Sequence, residues 1–515
     1  MNDRITVYKS KLSRFELAFL IIVSIVTITF VSTSSPLYPF NPWDDVNVFF
    51  TMGRGIIHGL VPYKDIFDHK GPVLYFIYTI AALISERSFI GVWIIECIAA
   101  SVFAIFSWKI VKLYTLPSKA SIMVMPVFLG IVYTVKMFNF GGNTEELCFP
   151  LLSIAFYIGL RAVVEGDGLP VKHEALICGL ISGILFWIKY TFLGFMIGFC
   201  IYILVISIKH KDAARLWSLV WRFLTGFIII TIPVLLYFLI TGSLQYMYDA
   251  YFYINIFLYQ NNPVSDPIAS IPVIRNIYIP IRCLSITNLY FPAFGVLLFL
   301  TMISILFTDK KHRNKTILLS LLTFVFSSVF IFTRLQAIYY YGYILTYGFG
   351  LSVVLVIRLW NLTEKAFKNN PGFIRILLSL IFTIFFALSL FLCKNRYLFM
   401  QPKTVLAQFL MADTIDRTPD AKLLTYDVMD AGFYTAAELL PSNRYCADKQ
   451  FDDNYPLLRE EQDRLISEGY FDYIVTSYFC EAEWDNYELI QEEAVPYIDY
   501  TGEEILDGYK LYKKI

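Results

Sequence analysis

Long apolar runs, each close to the length that crosses a bilayer, recur through the first three quarters of this chain and leave it few folds. A spanning helix needs about 20 predominantly apolar residues. Such runs fall at 15–33, 89–108, 120–136, 147–164, 174–188, 191–208, 217–241, 288–308, 316–333, 338–358 and 375–393. They predict a mainly α, polytopic transmembrane helical protein with about 11 spans. Of the 515 residues, 16% are charged, against roughly 25% in soluble domains. Val73–Ile84 is too short to span comfortably and reads as an interfacial or re-entrant helix. The first run lacks a small-residue cleavage site and reads as a retained span rather than a signal peptide.

The basic residues test this count, because cytoplasmic loops are enriched in Lys and Arg. With the N-terminus (Arg4, Lys9, Lys11, Arg14) inside, every alternate loop is basic. These loops carry Lys109, Lys112 and Lys119; Arg161 and Lys172; Lys209, Lys211 and Arg215; Lys310, Lys311, Arg313 and Lys315; Arg358, Lys365, Lys368 and Arg375. Counting 73–84 as a span would break the pattern twice. The loops 41–72, 138–146 and 242–287, with Lys189, Arg334 and the whole tail, then lie on the outer face. The expected orientation has the N-terminus cytoplasmic and the C-terminal domain extracytoplasmic.

Composition changes near Lys394. Residues 394–515 carry 24 acidic and 12 basic side chains. Short β-like runs (Lys422–Tyr426, Asp472–Thr476, Gly508–Tyr512) alternate there with helical ones (Val405–Asp416, Ala431–Leu440, Tyr455–Glu468). The chain therefore divides into a transmembrane domain, 1–393, and a small C-terminal α/β soluble domain, 394–515, of ordinary domain size. The eight cysteines show no CxxC and no metal-ligand spacing. Cys446 and Cys480 in the tail are either a disulfide or two thiols. No nucleotide-binding glycine motif and no internal repeat is evident, and nothing calls for a nucleic-acid partner.

The first outer loop concentrates charge between apolar walls: NPWDDVNVFFTMGRGIIHGLVPYKDIFDHKGP, Asn41–Pro72. Charge so placed is costly unless it is solvated or used. Asp44 and Asp45 precede a short amphipathic helix, Val46–Met52. An Asp there either caps the helix or takes a proton from an attacking hydroxyl, with its neighbour tuning it or holding a divalent cation. Gly59 and Pro62 end that helix; Gly71 and Pro72 turn into the next. Asp65, Asp68 and His69 either ligate a cation (Mg, Mn or Zn) or form a solvated loop surface. Lys70, just before a helix, either pairs with a lipid phosphate or snorkels to headgroups.

In the second outer loop, Phe138–Glu146, Asn143 or Thr144 caps the next helix. Glu145 either completes its acidic first turn or faces the Asp pair across a cavity, binding a sugar hydroxyl or a cation. Lys189 breaks one apolar run and Arg334 ends another. Both are interface anchors or phosphate ligands, Arg334 having the fork that holds two oxygens. Glu96, inside its span, calls for a buried cation. Tyr339, Tyr340, Tyr341 and Tyr343 read first as aromatic-belt residues, and second as a platform for a sugar or an isoprenoid chain.

The first loop resembles that of bacterial GT-C glycosyltransferases, the polytopic relatives of protein O-mannosyltransferases and lipid A aminoarabinose transferases. The residues that carry the likeness are Asp44, Asp45, Gly59, Pro62, Tyr63, Asp65, Lys70, Gly71 and Pro72. Thr144-Glu145 stands where the class often has Thr-Asp, and Lys189 and the stretch 334–341 fall at similar places. The resemblance covers about residues 1–395. It departs in Lys-Gly-Pro, where the aminoarabinose transferases have Lys-Pro-Pro, and in Glu for Asp in the second loop.

The resemblance implies a glycosyltransferase with a polyprenyl-phosphate sugar as donor, membrane lipid around it, and a glycan, lipid or protein hydroxyl as acceptor on the outer face. It makes Asp45 the general base of an inverting attack, with Asp44 assisting. Lys70 and Arg334, with Lys189, hold the departing phosphate. Glu145 lines the acceptor or metal site. The competing readings are a flippase or transporter of polyprenyl-linked glycans, a polymerase or ligase on the same carriers, and an inactive relative that serves as a scaffold.

Overall fold

In lipid a backbone must satisfy its own hydrogen bonds, so each apolar run is helical. The computed structural model describes residues 11–258, 292–308, 310–332, 339–367, 369–415, 421–447, 454–498 and 504–515. The membrane part runs through α1 (Arg14–Val31), α2 (Asp44–Ile57), α3 (Pro72–Ile84), α4 (Ile90–Tyr114), α5 (Val124–Thr134), α6 (Thr144–Glu165) and α7 (Lys172–Phe186). It continues with α8 (Leu193–His210), α9 (Ala213–Ile240), a π-helix (Tyr248–Leu258), α10 (Pro292–Leu306), α11 (Lys310–Ile331), a 3-10 segment (Tyr339–Gly348), α12 (Gly350–Ala366) and α13 (Pro371–Phe391).

The expected 11 spans become fewer. Among the described residues, seven helices are long and apolar enough to cross a membrane: α1, α4, α6, α8 with the turn before it, α9, α11 and α13. An eighth is the 3-10 segment plus α12, bent by 52°. The runs at 120–136 and 174–188 form shorter helices (α5 and α7), and the described part of 288–308 is helical as α10. An apolar run is longer than its helix wherever the backbone breaks inside it, as at extended Val135. α3 has 13 residues, the short helix expected.

The basic loops meet at one end of the bundle. Lys112 Nζ donates to Glu16 and to the Lys11 carbonyl. Arg358 donates to the carbonyls of Phe307 and Tyr114, and the Tyr114 hydroxyl reaches Thr316. Lys315 and Arg215 converge on Asp167. The other loops gather at the opposite end. There Asn41 Nδ2 donates to the Gly141 carbonyl and Gly71 N–H to that of Ile188.

The tail adds α14 (Ala407–Ala412), β1 (Leu423–Tyr426), α15 (Phe433–Ala436), α16 (Leu457–Ser467), β2 (Tyr473–Ser477), β3 (Tyr487–Ile498) and β4 (Glu504–Lys514). The sheet order is β1-β2-β4-β3. β1 and β2 are parallel, joined across α16, and the other pairs are antiparallel. The expected strands are all present. β3 was not expected, because its acidic sequence, YELIQEEAVPYI, hides its alternation. The expected helix 431–440 shrinks to α15 because Ala431, Gly432 and Glu438 take positive φ. Cys446 and Cys480 are thiols, not a disulfide.

The tail is seated on the first loop. Arg54, 3% exposed, donates from Nη1 to the Tyr434 carbonyl at 2.9 Å, and burial pushes its guanidinium pKa down. Thr51 bonds Asp430. Arg444 Nε donates to the Tyr63 carbonyl at 2.8 Å, and Phe67 N–H to the Arg444 carbonyl at 2.9 Å. A Cβ on Gly432 would lie 2.4 Å from the Phe40 ring, so the glycine permits this close approach.

Candidate active site

The acidic pair opens α2. Trp43 is the N-cap and gives no side-chain cap, so Asp44 and Asp45 occupy the first turn rather than capping it, as the sequence reading allowed. There they complement the helix dipole, worth about 0.3–1 kcal/mol each. Two asparagines brace the turn. Asn41 Oδ1 accepts from Trp43 N–H at 3.0 Å. Asn47 Nδ2 donates to the carbonyls of Asn41 and Trp43, both at 2.9 Å. With the backbone held in this way, the carboxylates are not needed as caps.

The Lys-Gly-Pro turn builds a basic corner. Gly71 is the N-cap of α3 and Pro72 its first residue, a position where the missing N–H costs nothing. The turn docks on the break between α7 and α8: Gly71 N–H donates to the Ile188 carbonyl and Val73 N–H to that of Trp187, both at 3.0 Å. This seats Lys70 beside Lys189. Both line a small cavity of about 20 Å³, with His69, Thr191, Tyr251 and Asn255. A Cβ on Gly71 would sit 2.1 Å from the Trp187 carbonyl oxygen. Gly71→Ala is therefore expected to cost at least about 1–3 kcal/mol, as overpacked sites do. A thermal melt of the detergent-solubilised protein will show a lowered midpoint; an unchanged midpoint would refute the docked turn.

His69 orients Lys70. Lys70 Nζ is 3.2 Å from His69 Nε2. An ammonium has no acceptor, so Nε2 accepts and the ring carries its proton on Nδ1. That atom lies 3.3 Å from Asp68 Oδ1, and Asp68 Oδ2 accepts from the Tyr75 hydroxyl at 2.8 Å. Asp65 is occupied elsewhere: its Oδ2 accepts from Val61 N–H at 2.7 Å and closes the turn. Asp65, Asp68 and His69 thus do not converge as a ligand set. Among the described residues no three His, Cys, Asp or Glu side chains come together to hold a metal.

Adjacent tyrosines join the acidic and basic parts. The Tyr340 hydroxyl donates to Asp45 Oδ2 at 3.1 Å, and its ring stands edge-on to Trp43 at 5.4 Å. Lys189 Nζ lies 3.8 Å over the Tyr341 ring. Tyr343 is buried, its hydroxyl donating to the Val132 carbonyl. Tyr341 and Tyr343 are buried and Tyr340 is half-buried against Trp43, rather than ringing the membrane as first expected; the Tyr339 side chain lies outside the described residues. An interfacial tyrosine run has the same sequence appearance in either role.

Glu145 is fully buried. Its Oε1 is 2.6 Å from Lys189 Nζ and its Oε2 accepts from Thr144 at 2.7 Å. It holds Lys189, rather than lining a cavity toward an acceptor or a metal. Asn143 caps α6, its Oδ1 accepting from Glu146 N–H at 2.7 Å. In place of the cation expected for Glu96 stands a hydroxyl: Ser32 Oγ donates to both of its carboxylate oxygens. Arg334 lies outside the described residues. The sequence reading missed Asn41, Asn47 and the Asp45 and Lys189 roles of the tyrosines. Asn41 alone had a local sign, its place at the start of the charged loop.

Parts of the chain match known proteins in sequence, and nearly all of it in fold. Residues 69–237 match the family described as Dolichyl-phosphate-mannose-protein mannosyltransferase. The stretch includes His69, Lys70, Glu145 and Lys189 and begins after the Asp pair. No curated protein matches the chain in sequence. The solved structure of ArnT from Cupriavidus metallidurans bound to undecaprenyl phosphate is similar with a TM-score of 0.57 at 10% identity, covering 96% of this chain and 97% of that one. Its apo form gives 0.56 at 9%, with the same coverage. The fold is the GT-C fold over nearly the whole chain, multi-pass in the membrane.

Proposed function

We propose that this GT-C-fold chain is a membrane glycosyltransferase, moving a sugar from a polyprenyl-phosphate donor to an acceptor hydroxyl at the outer face. The observation that carries the reading is the tyrosine pair: neighbouring residues contact one carboxylate on the first turn of α2 and one lysine beside Lys70. The similarity to a structure bound to undecaprenyl phosphate supports the donor class. The match to a dolichyl-phosphate mannosyltransferase family supports the reaction type.

In the reaction, Asp45 takes the acceptor's hydroxyl proton as the oxygen attacks the anomeric carbon from the face opposite the phosphate. The bond from that carbon to the phosphate oxygen breaks, and its electron pair leaves with the phosphate, so the centre inverts. The donor phosphodiester carries one negative charge and the departing phosphomonoester gains another. Lys70 and Lys189 stabilise that gain where it develops, and Arg334 is assigned to the same phosphate. Asp44 sets the field around Asp45. The N-terminus faces the cytoplasm and the tail faces outward.

The test is release of free polyprenyl phosphate by the protein in nanodiscs, given a panel of polyprenyl-phosphate sugars and cell-envelope acceptors. Release dependent on an acceptor supports the transferase. No release from any donor, with carrier movement across a proteoliposome bilayer, would replace it with a flippase. Tyr340→Phe removes one hydroxyl from Asp45 and keeps the ring against Trp43. Hydrogen bonds to charged groups are worth about 1.5–3 kcal/mol, so turnover should fall about 10- to 100-fold with an unchanged melt. Full activity would show that Tyr340 does not position the base.

A further inference from the structure

A cavity beside the acidic turn is separate from the one that holds the lysines. It measures about 660 Å³ and lies between the start of α2, the second outer loop and the tail, within the size range of about 300–1,000 Å³ typical of ligand pockets. Its walls include Trp43, Phe140, Tyr397 and Tyr509, with the Gln401 amide and the Asp44 carboxylate. Asn139 also lines it, held in place because Lys394 donates to its Oδ1; Lys394 also lies 4.4 Å over the Phe140 ring. Among the described residues no lysine or arginine lines it.

We infer that this cavity binds the acceptor, and that the acceptor is an uncharged saccharide. The inference rests on the glycosyltransferase reading and supplies its second substrate. Flat aromatic faces stack on the C–H faces of sugar rings, while side-chain amides donate to and accept from hydroxyls. Asp44 and Asp45 are consecutive in the first turn of α2, and Asp44 is the member of the pair that lines the cavity, so a sugar held there lies at the turn that carries the base. An anionic acceptor would bring its charge to the Asp44 carboxylate with no cation among the described lining residues to offset it, and like charges in a part-buried site repel. The two substrates are thereby sorted by charge: phosphate to the lysine corner, neutral glycan to the acidic and aromatic one. The tail contributes Tyr509 and the segment containing Gln401, which gives the soluble domain a role as one wall of the acceptor site.

The test uses the full chain, fluorescently labelled in nanodiscs, on an array carrying neutral glycans, acidic glycans and Ser/Thr-containing peptides, with no donor present. Neutral glycans are expected to bind. Tyr397→Ala and Gln401→Ala, both at exposed positions, should each weaken that binding about tenfold, the scale of one lost stacking face or hydrogen bond. Polyprenyl phosphate binding by the same variants should not change. Preference for acidic glycans or peptides, neutral binding that survives both substitutions, or no binding at all would overturn the inference. Because binding is read without turnover, failure here leaves the donor-release assay to stand or fall alone. Neutral binding without donor release would instead remove the transferase and keep the sugar site.

Discussion

Asp45→Asn in nanodiscs will release polyprenyl phosphate about 10²–10⁴-fold more slowly than the native protein, the usual contribution of a positioned general base. Asparagine matches aspartate in shape, and its carbonyl still accepts from Tyr340, so the 3.1 Å contact can persist. What is lost is the capacity to take a proton. The structural effect is small: one carboxylate leaves the first turn of α2, at about 0.3–1 kcal/mol, while Asn41 and Asn47 go on bracing the backbone. A normal melt with lost turnover is therefore the expected combination. Asp44→Asn should slow the reaction less. A larger loss at Asp44 would transfer the role of base to it, and full turnover in both variants would remove the acidic turn from the chemistry.

Lys189→Met should produce the largest loss of stability among the site variants. Its partner Glu145 is 0% exposed and the ion pair is 2.6 Å long. Removing one member of a buried pair typically costs about 3–5 kcal/mol, because the remaining charge stays buried alone. Turnover falls as well, since one of the cations at the leaving phosphate is gone. The double variant Glu145→Gln/Lys189→Met separates these effects. Glutamine is neutral and still accepts from Thr144, so the melt should recover most of the loss while turnover stays low. Recovered turnover would mean that Lys189 serves only to satisfy Glu145.

Much of the site could be named from sequence but not connected. Asp44, Asp45, Lys70 and Lys189 are conspicuous because charge next to apolar runs is rare, and that rarity is local. Their grouping is not local: Asp45 and Tyr340 are 295 residues apart, and Lys189 and Glu145 are 44 apart. A tyrosine run next to a span has the same hydropathy whether it rings the membrane or points inward. Glu96 shows the same limit. Its burial was readable from the span around it, but its partner Ser32 comes from the end of another helix, 64 residues away.

The sequence by itself determined a helical membrane bundle, its two loop classes, an α/β tail and a charged first loop. Each follows from composition over a window of about 20 residues or fewer, the scale on which lipid and water sort side chains. Only the tertiary structure decided how many runs are unbroken helices, which carboxylates stand in the site and which serve the core, and that the tail walls a cavity beside Asp44. These depend on close approaches such as Gly71 against Trp187 and Gly432 against Phe40. Contacts of that kind are set by packing between distant segments, to which hydropathy along the chain is blind.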